Sequence, residues 1–339
     1  MRWKGIKTLV TGGASFIGSH VVDRLVKLGA SVRIVDDLSS GKLENIVDHI
    51  NNRTVEFIHA DLLQRDIAKK SVKHINFVFH LAAVHGGRGY VDMHQAAVTA
   101  NILMDTQLIH EAYESKVKKF IFASSGCVYP NYMQKDTGKK LYLSEIMVGP
   151  PYDPDNMYGW AKLTTEKTLA AYYKDHGFQS ASCRFFTAFG PRGIENHAII
   201  AMIARALIKQ DPYEVWGDGK QIRNWTYVDD TADGMIKVAE CIDDGRAVNI
   251  GTTERIRVID VVREICDYTD FHPDIIFRKK MPVGPVNRVC DNTLAKQLLG
   301  WEPKVPFVHG LHTTIDWYFS HKNKKNIRNS LSRLLTERS

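Results

Sequence analysis

Short apolar runs alternate with amphipathic stretches through the first two thirds of this chain. The runs are nearly continuous, as in VEFIHAD and KFIFASS, which is typical of parallel strands covered on both faces. Strands are predicted at 8–10, 31–36, 55–61, 77–83, 119–125, 180–186 and 247–251. Helices are predicted between them at 19–28, 91–115 and 158–176. This alternation predicts an α/β fold of the Rossmann type, with a doubly wound parallel sheet.

A glycine-rich turn, within TLVTGGASFIG at 8–18, joins the first predicted strand to the first predicted helix. The backbone N–H groups and the dipole of such a helix start favour a pyrophosphate. The next strand ends in Asp36, about 20 residues beyond the glycines, where a carboxylate binds the ribose hydroxyls of NAD and repels a 2′-phosphate. NAD is therefore the expected cofactor. The turn residues expected to bind it are Gly12, Ser15, Phe16, Ile17 and Gly18, with Ser15 in place of the middle glycine.

After residue 190 the chain becomes richer in glycine, proline and tryptophan, and helices at 197–209 and 258–268 are short. We interpret this part as a smaller C-terminal substrate-binding region over the carboxyl ends of the strands. The predicted organisation is an NAD-binding domain at 1–188, to which about 227–251 returns, and a mainly substrate-binding region at 189–325. A basic tail follows at 326–339.

Composition narrows the class of protein. Of the 339 residues, 44% are hydrophobic and 24% are charged, as in soluble globular proteins, and no run of about 18 apolar residues predicts a membrane span. With no room for a signal peptide and five scattered cysteines, we expect a cytoplasmic protein with reduced thiols and no metal site. Much of the net charge of +7 lies near the C-terminus, where a solvated, partly frayed tail is favoured over a nucleic-acid site.

The segment YGWAK places Tyr158 and Lys162 four residues apart, so that both side chains share one face of a helix. A lysine beside a phenol favours the phenolate, which lets the tyrosine act as a base. Ser125, at the end of the predicted strand 119–125, is expected at the same carboxyl edge, where it can hydrogen-bond a substrate hydroxyl.

The motifs TGGxxxxIG, HLAA, SSxCVYP and YxxxK, together with Asp36, resemble the extended short-chain dehydrogenase/reductases that act on nucleotide sugars. The resemblance runs from about residue 6 to about residue 319. The segments HLAAVHGGRGYV, ASSGCVYP and VWGDGKQIRNWTYVDD are most similar to the GDP-mannose 3,5-epimerases, and the GDP-fucose synthases come next. The resemblance implies tightly held NAD, a nucleoside diphosphate sugar as substrate, with a GDP-sugar favoured, and a homodimer packed through 91–115 and 158–176.

By this resemblance, Tyr158 removes the proton of the sugar 4-hydroxyl, Lys162 tunes it and holds the nicotinamide ribose, and Ser125 assists. Asn101 is expected to support the geometry of the tyrosine and the lysine. The further cofactor-binding residues that the resemblance implies are Asp61, Leu62, Leu81, Ala82 and Ala83.

Cys127 stands where simple 4-epimerases usually have threonine, and where the 3,5-epimerases and fucose synthases have a cysteine that moves protons at carbon. A thiol titrates close enough to neutral pH for that work, although a buried cysteine that only fills space is the alternative. His197 in GPRGIENHAII is the expected second proton carrier, and Glu195 is the reserve candidate.

The resemblance also implies a substrate site. Arg223 and Arg288 are expected on the diphosphate, because guanidinium groups suit phosphate oxygens. Trp216 is expected beside the nucleobase, and Thr187 replaces an asparagine that contacts phosphate or sugar in relatives. Gly87 and Arg88 complete the set of substrate-binding residues.

Together these features predict an NAD-dependent epimerase that forms a 4-keto sugar and exchanges protons at C3, C5 or both. Three alternatives stay open. A UDP-hexose 4-epimerase would use Tyr158 and leave Cys127 idle, and a reductase of the fucose-synthase type would consume NADPH, which Asp36 opposes. A binding protein without catalysis is opposed by the intact set of Ser125, Tyr158 and Lys162.

Overall fold

The computed structural model describes residues 3–337, and a seven-stranded parallel sheet lies at its centre. The strands are β1 (Lys7–Thr11), β2 (Ser31–Asp36), β3 (Val55–His59), β4 (Phe77–His80), β5 (Lys119–Ser125), β6 (Ser180–Phe185), β7 (Thr187–Phe189), β8 (Tyr213–Trp216), β9 (Ile222–Arg223), β10 (Trp225–Tyr227), β11 (Asp244–Ile250), β12 (Ile256–Arg257), β13 (Ile275–Arg278) and β14 (Asn287–Arg288). The helices are α1 (Phe16–Lys27), α2 (Val47–Asn51), α3 (Arg65–Ser71), α4 (Arg88–Met93), α5 (Gln95–Val98), α6 (Ala100–Glu114), α7 (Asn156–His176), α8 (Ala198–Ile208), α9 (Val228–Cys241), α10 (Val258–Tyr268), α11 (Thr293–Leu299), α12 (Phe307–His321) and α13 (Lys324–Leu334).

The strand order of the central sheet is β11-β6-β5-β4-β1-β2-β3, which confirms the predicted Rossmann-type fold. The chain builds β1, β2 and β3 outward on one side and then returns to place β4 on the other side of β1. Thr11 pairs with Val35 on one side and with His80 on the other. Connections leave β1 and β4 in opposite directions, so a crevice opens at their carboxyl ends, where such sheets bind ligands.

Helices cover both faces of the sheet, which explains the nearly continuous apolar strands. On one face, Leu25 of α1 and Met235 of α9 pack in a buried cluster with Phe79 of β4. On the other face, Leu108 of α6 and Leu169 of α7 pack in a second cluster. The central strands are therefore buried on both faces, and the cleft residues Asp36 and Ser125 lie at the carboxyl ends of β2 and β5.

A third apolar cluster holds the C-terminal region together. It brings Ile203 of α8 against Ile265 of α10, Ile315 of α12 and Leu331 of α13. Two small sheets, β13 with β8 and β12 with β9 and β14, complete this region beside the carboxyl edge of the central sheet. No helix formed within residues 3–337 is long and apolar enough to cross a bilayer.

Two predicted elements differ from the observed ones. The strand expected at 77–83 ends at His80, and the chain beyond it is irregular. The helix expected at 91–115 is divided into α4, α5 and α6, because His94 has the non-helical angles φ −120° and ψ 44°. Asn101 at the start of α6 does not touch Tyr158 or Lys162 through any hydrogen bond in the described structure. Its side-chain amide instead accepts the backbone N–H of Val84 and donates to the Val84 carbonyl.

The prediction of a partly frayed tail at 326–339 is wrong for residues 326–337, which the structure describes. Residues 324–334 form α13, whose cap is Asn323, and its side chain accepts the N–H groups of Lys325 and Asn326. Ile327 and Leu331 are buried against α8, and Leu335 reaches the central cleft. Apolar residues four positions apart give one buried stripe, and the basic residues lie on the other faces. Residues 338 and 339 lie outside the described residues.

Candidate active site

One large cleft of about 560 Å³ lies at the carboxyl edge of the sheet, between the sheet and the C-terminal region. The structure places nearly all residues expected from the sequence around this cleft. Lining it are Gly12, Ser15, Phe16, Ile17, Asp36, Asp61, Leu62, Leu81, Ala82, Ala83, Gly87, Arg88, Ser125, Cys127, Tyr158, Lys162, Thr187, His197, Trp216, Arg223 and Arg288. Gly18 and Glu195 lie outside its lining.

The glycine-rich turn at one end of the cleft is packed too closely to accept side chains. Gly12 has φ +68°, and a Cβ there would lie 2.8 Å from the backbone nitrogen of Ala82. Gly18 does not face the cleft, but a Cβ on it would lie 2.0 Å from the carbonyl oxygen of Gly12. Ser15, in place of the middle glycine, donates its hydroxyl to that same carbonyl and leaves the turn closed. This close packing of turn and helix start fits the pyrophosphate of a dinucleotide.

Asp36 ends β2 with a carboxylate that is only 6% exposed. One of its oxygens accepts the N–H of Ala14 from the turn, and the other accepts the N–H of Leu38, both at 2.9 Å. Burial raises the pKa of Asp36, and the two backbone hydrogen bonds oppose that rise. The carboxylate is thus held rigidly beside the turn, in the position that suits NAD.

Ser125, Tyr158 and Lys162 meet at the middle of the cleft. Ser125 ends β5, and its hydroxyl oxygen accepts the N–H of Cys127 at 3.1 Å, so the chain turns tightly there. Tyr158 and Lys162 share one face of α7, and the Lys162 ammonium lies 5.5 Å from the Tyr158 ring centroid. The same ammonium lies 4.4 Å from the ring of Phe122.

Burial dominates the titration of the Tyr158–Lys162 pair. It raises the pKa of Tyr158, and the negative charges of Cys127 and Asp105 add to that rise. It lowers the pKa of Lys162, although nearby acidic groups oppose this. Burial therefore opposes the phenolate in the protein by itself, whereas the Lys162 ammonium and the positive charge of a nicotinamide ring would favour it.

An arginine cluster surrounds Cys127 at the other end of the cleft. Arg288 donates an N–H to the Cys127 Sγ at 3.3 Å and another to Asp155 at 3.0 Å. Arg88 donates to the same oxygen of Asp155 at 2.7 Å. Burial alone would raise the pKa of Asp155, but the two arginines together lower it. The Cys127 thiol is thus partly exposed to the cleft and hydrogen-bonded by a guanidinium group.

Arg223 adds a third positive charge to this cluster. Burial, together with the charges of Arg288 and Arg88, lowers the pKa of Arg223 to about 9. Its own N–H groups bond only the carbonyls of Ile222 and Val283 in the structure from Trp3 to Glu337. Three arginines that repel one another make a site that an incoming anion stabilises.

His197 and His85 form the wall of the cleft near Tyr158. His197 caps the N-terminus of α8, and its ring lies 6.0 Å from that of His85, which lies 4.8 Å from the Tyr158 ring. Burial lowers the pKa of His197 to about 4, so its imidazole is neutral near pH 7. Its Nδ1 is buried and has no hydrogen-bond partner among the residues described. The free Nδ1 is available to accept a proton, but the burial that lowers the pKa opposes this protonation.

Glu195, the reserve candidate, points away from the cleft. Its carboxylate accepts the Tyr318 hydroxyl at 2.9 Å and lies 3.4 Å from the Lys322 ammonium. Sequence reasoning gave no role to Asp155, His85 or Leu335, which hold or line the site. Of these three residues, only His85 could have been identified from the sequence, because it lies inside the segment HLAAVHGGRGYV.

Comparison with known proteins identifies the family. The model of the NAD dependent epimerase/dehydratase family matches residues 8–251. The chain is 31% identical over 319 residues to GDP-mannose 3,5-epimerase 1 of Oryza sativa subsp. indica, with 92% of this chain and 81% of that enzyme covered.

Two solved structures are similar over almost their whole length. The UDP-glucose 4-epimerase of Thermotoga maritima, solved with UDP-glucose, is 30% identical with a TM-score of 0.81, covering 93% of this chain and 99% of that one. The UDP-glucuronic acid 4-epimerase of Bacillus cereus, in complex with UDP-glucuronic acid and NAD, is also 30% identical, with a TM-score of 0.82 and coverage of 92% and 98%. Agreement of this extent shows that the chain belongs to the NAD-dependent epimerase/dehydratase family, and it is an NAD-dependent enzyme.

Proposed function

We propose that the enzyme is a nucleotide-sugar epimerase that works through a 4-keto sugar and exchanges protons at C3, C5 or both. The observation that carries this proposal is the Cys127 thiol, which lines the same cleft as Tyr158 and receives an N–H of Arg288 at 3.3 Å. A reaction confined to C4 does not require such a thiol. A sugar ketone, in contrast, makes the neighbouring C–H groups acidic enough for a thiolate to remove a proton from them.

The first half of the reaction uses Tyr158, Lys162 and Ser125. When bound, NAD would supply a reversible hydride acceptor for sugar C4 and a positively charged ring. That charge, with the Lys162 ammonium, lowers the barrier for Tyr158 to take the 4-hydroxyl proton, which burial alone opposes. Ser125, anchored at the end of β5, is positioned to hold the same hydroxyl.

In the second half, Cys127 and His197 are the two proton carriers. Arg288 stabilises the thiolate of Cys127, which removes a proton from the carbon next to the ketone. His197 is proposed as the second carrier: its unpaired Nδ1 takes a proton from solvent and delivers it to the deprotonated carbon, while Cys127 keeps the proton that it removed. Inversion results because the delivered proton reaches the opposite face of the sugar, and Cys127 then exchanges its proton with solvent.

The substrate is proposed to be a nucleoside diphosphate sugar, with a GDP-sugar favoured. Arg223, Arg288 and Arg88 line the cleft, and Asp155 and Asp92 offset part of their charge, so a diphosphate is proposed to bind beside these guanidinium groups. Trp216 lines the cleft beyond these arginines and offers a flat face to a base. The similarity to the rice GDP-mannose 3,5-epimerase supports guanine, and the 30% identity to two UDP-sugar epimerases makes uracil the second choice.

The decisive experiment is incubation of the protein with GDP-mannose, and separately with UDP-glucose, in D₂O. We expect deuterium at a ring carbon of the recovered nucleotide sugar, because protons removed at C3 or C5 exchange with solvent. Mass spectrometry and NMR of the sugar locate the label. A product inverted at C4 without deuterium would instead establish the 4-epimerase, the function that the two solved structures carry in their names.

Asp36 predicts a preference for NAD over NADP. Its buried carboxylate faces the place where the 2′-phosphate would bind, so we expect at least about tenfold tighter binding of NAD. Calorimetric titration of the two dinucleotides measures this ratio. Asp36→Ala is expected to narrow the ratio of the NAD and NADP affinities, whereas Glu44→Ala, at an exposed carboxylate outside the cleft lining, is the control. Tighter binding of NADP would contradict the assignment and revive a reductase.

We also propose a homodimer formed through α6 and α7. Leu103 of α6 is 57% exposed and Trp160 of α7 is 41% exposed, although both are large apolar side chains. Met93 of α4 is 54% exposed. These side chains lie on the helices that the sequence resemblance assigned to the dimer contact, and pairing with a second copy would cover them.

A further inference from the structure

A buried chain of hydrogen bonds crosses from the sheet to α7, and the proposed reaction does not use it. Thr11 Oγ1 lies 2.7 Å from His80 Nδ1, and His80 Nε2 lies 2.9 Å from one carboxylate oxygen of Asp105. The other oxygen of Asp105 accepts the Thr165 hydroxyl at 2.7 Å. All four side chains are fully buried, and none of them lines the cleft. We call these four residues the Asp105 network.

The network starts at the cofactor end of the cleft. Thr11 Oγ1 accepts the backbone N–H groups of Leu81 and Ala82, both at 3.2 Å, and these two residues line the cleft. With both acceptor positions filled, the Thr11 hydroxyl proton is directed to His80 Nδ1. The hydrogen-bond network therefore assigns the ring proton to His80 Nε2, where Asp105 accepts it. Asp105 is thus an ionised acceptor on both of its oxygens.

The network ends beside the buried Lys162. Thr165 lies three residues after Lys162 on the same face of α7, and it ties Asp105 to that helix. Lys162 is 1% exposed and makes no salt bridge within residues 3–337. A buried ammonium group without an opposite charge is costly. Asp105 is the first of three acidic groups, with Cys127 and Glu166, that oppose the fall in the Lys162 pKa caused by burial.

Of these three groups, only Asp105 is free to balance Lys162. Glu166 is committed to Arg184, which bonds both of its oxygens at 3.0 and 2.8 Å. Cys127 is paired with Arg288 and is needed for proton transfer in the proposed reaction. Among the described residues, no lysine or arginine forms a salt bridge with Asp105, whose side-chain partners are the His80 ring and the Thr165 hydroxyl.

We propose that Asp105 is a positioning residue that joins α7, the helix of Tyr158 and Lys162, to the backbone at Leu81 and Ala82. It does not line the cleft and acts through these groups. Loss of its hydrogen bonds loosens the cofactor end of the cleft from α7. The proposal rests on the family and its cofactor, and it does not depend on the sugar or on the task of Cys127.

The test compares Asp105→Asn and Thr165→Val with the wild type. Asn keeps the shape of the carboxylate without its charge, and Val keeps the shape of Thr165 without its hydroxyl. Thr165→Ser restores that hydroxyl, and Thr168→Val is the matched control on α7, since the Thr168 hydroxyl bonds only the carbonyl of Thr164. Three quantities are measured: NAD affinity by calorimetry, thermal unfolding, and the rate of NAD reduction by GDP-mannose or UDP-glucose in a single turnover.

We expect Asp105→Asn to weaken NAD binding about tenfold and to slow NAD reduction by about tenfold or more, with KM for the nucleotide sugar unchanged. Thr165→Val is expected to change both in the same direction by about threefold to tenfold, and Thr165→Ser to restore them. Thr168→Val leaves both at the wild-type values.

A folded Asp105→Asn protein with NAD affinity and NAD reduction within twofold of the wild type would overturn the proposal. If Asp105→Asn does not fold, the comparison of Thr165→Val with Thr165→Ser tests the proposal instead. A Thr165→Val protein that loses thermal stability but keeps NAD affinity and reduction rate shows a purely structural network, and the proposal then fails. Because NAD affinity is measured without any sugar, a wrong choice of substrate leaves this test intact.

Discussion

Tyr158→Phe is expected to lower the rate of oxidation at sugar C4 by about a hundredfold to ten-thousandfold, the usual contribution of a general base. The phenol oxygen is the proposed base for the hydroxyl proton, and the Tyr158 ring lies 4.8 Å from that of His85. Phenylalanine keeps this packing, so binding of the nucleotide sugar is expected to stay within about threefold of the wild type. Single-turnover reduction of bound NAD and calorimetry with the sugar separate the two effects.

Tyr172→Phe is the matched control, because it lies on the same helix and its hydroxyl makes only a long 3.4 Å contact with His110 at the surface. We expect its turnover to equal that of the wild type. A Tyr158→Phe enzyme with turnover near that of the wild type would remove Tyr158 from the mechanism. Loss of sugar binding along with turnover would mean that the ring position, rather than the proton, matters.

Cys127→Ser is expected to cut deuterium uptake at C3 and C5 by about a hundredfold or more, while hydride still passes between C4 and NAD. A serine hydroxyl is too weak an acid and base to replace a thiol at neutral pH, but it keeps nearly the same volume. Hydride transfer depends on Tyr158, Lys162 and Ser125, which the substitution leaves in place. NMR of the sugar recovered from D₂O, together with single-turnover NAD reduction, measures both.

The control for Cys127→Ser is Cys241→Ser, at an exposed thiol of α9 outside the cleft. His197→Asn is expected to reduce exchange through the other carrier, so its defect differs from that of Cys127→Ser. Undiminished exchange in Cys127→Ser would make the thiol a packing residue and favour the 4-epimerase. If both variants keep full exchange, Glu195 would be tested next, although it points towards Tyr318 and Lys322.

The nucleotide half of the site could be predicted because its signals are local. A buried strand, a glycine turn and a helix start follow one another within 8–18, and Asp36 ends the very next strand. Tyr158 and Lys162 lie one helical turn apart, and so their shared face follows from helix geometry alone. Such features survive folding unchanged, because short-range sterics and backbone hydrogen bonding impose them before any distant contact forms.

The arginines of the cluster could be identified from the sequence, but their contacts with Asp155 and Cys127 could not be predicted from it. Asp155 bonds Arg88 and Arg288, which are 67 and 133 residues away along the chain, and nothing in its local sequence announces either contact. The partner of Cys127 is likewise a residue 161 positions distant. Only packing of the C-terminal region against the sheet brings these groups together, and that packing sums many weak apolar contacts.

Features set by neighbouring residues and features set by distant packing can be separated in the same way for the rest of the chain. Local patterns suffice for the Rossmann-type fold, the NAD site and the Tyr158–Lys162 pair, since each depends on residues near one another in sequence. The folded chain alone reveals that Glu195 faces away from the cleft, that burial governs the titration of Tyr158, and that the basic C-terminal segment forms α13. These depend on which distant surfaces exclude water from a group, and desolvation is a property of the whole packed molecule.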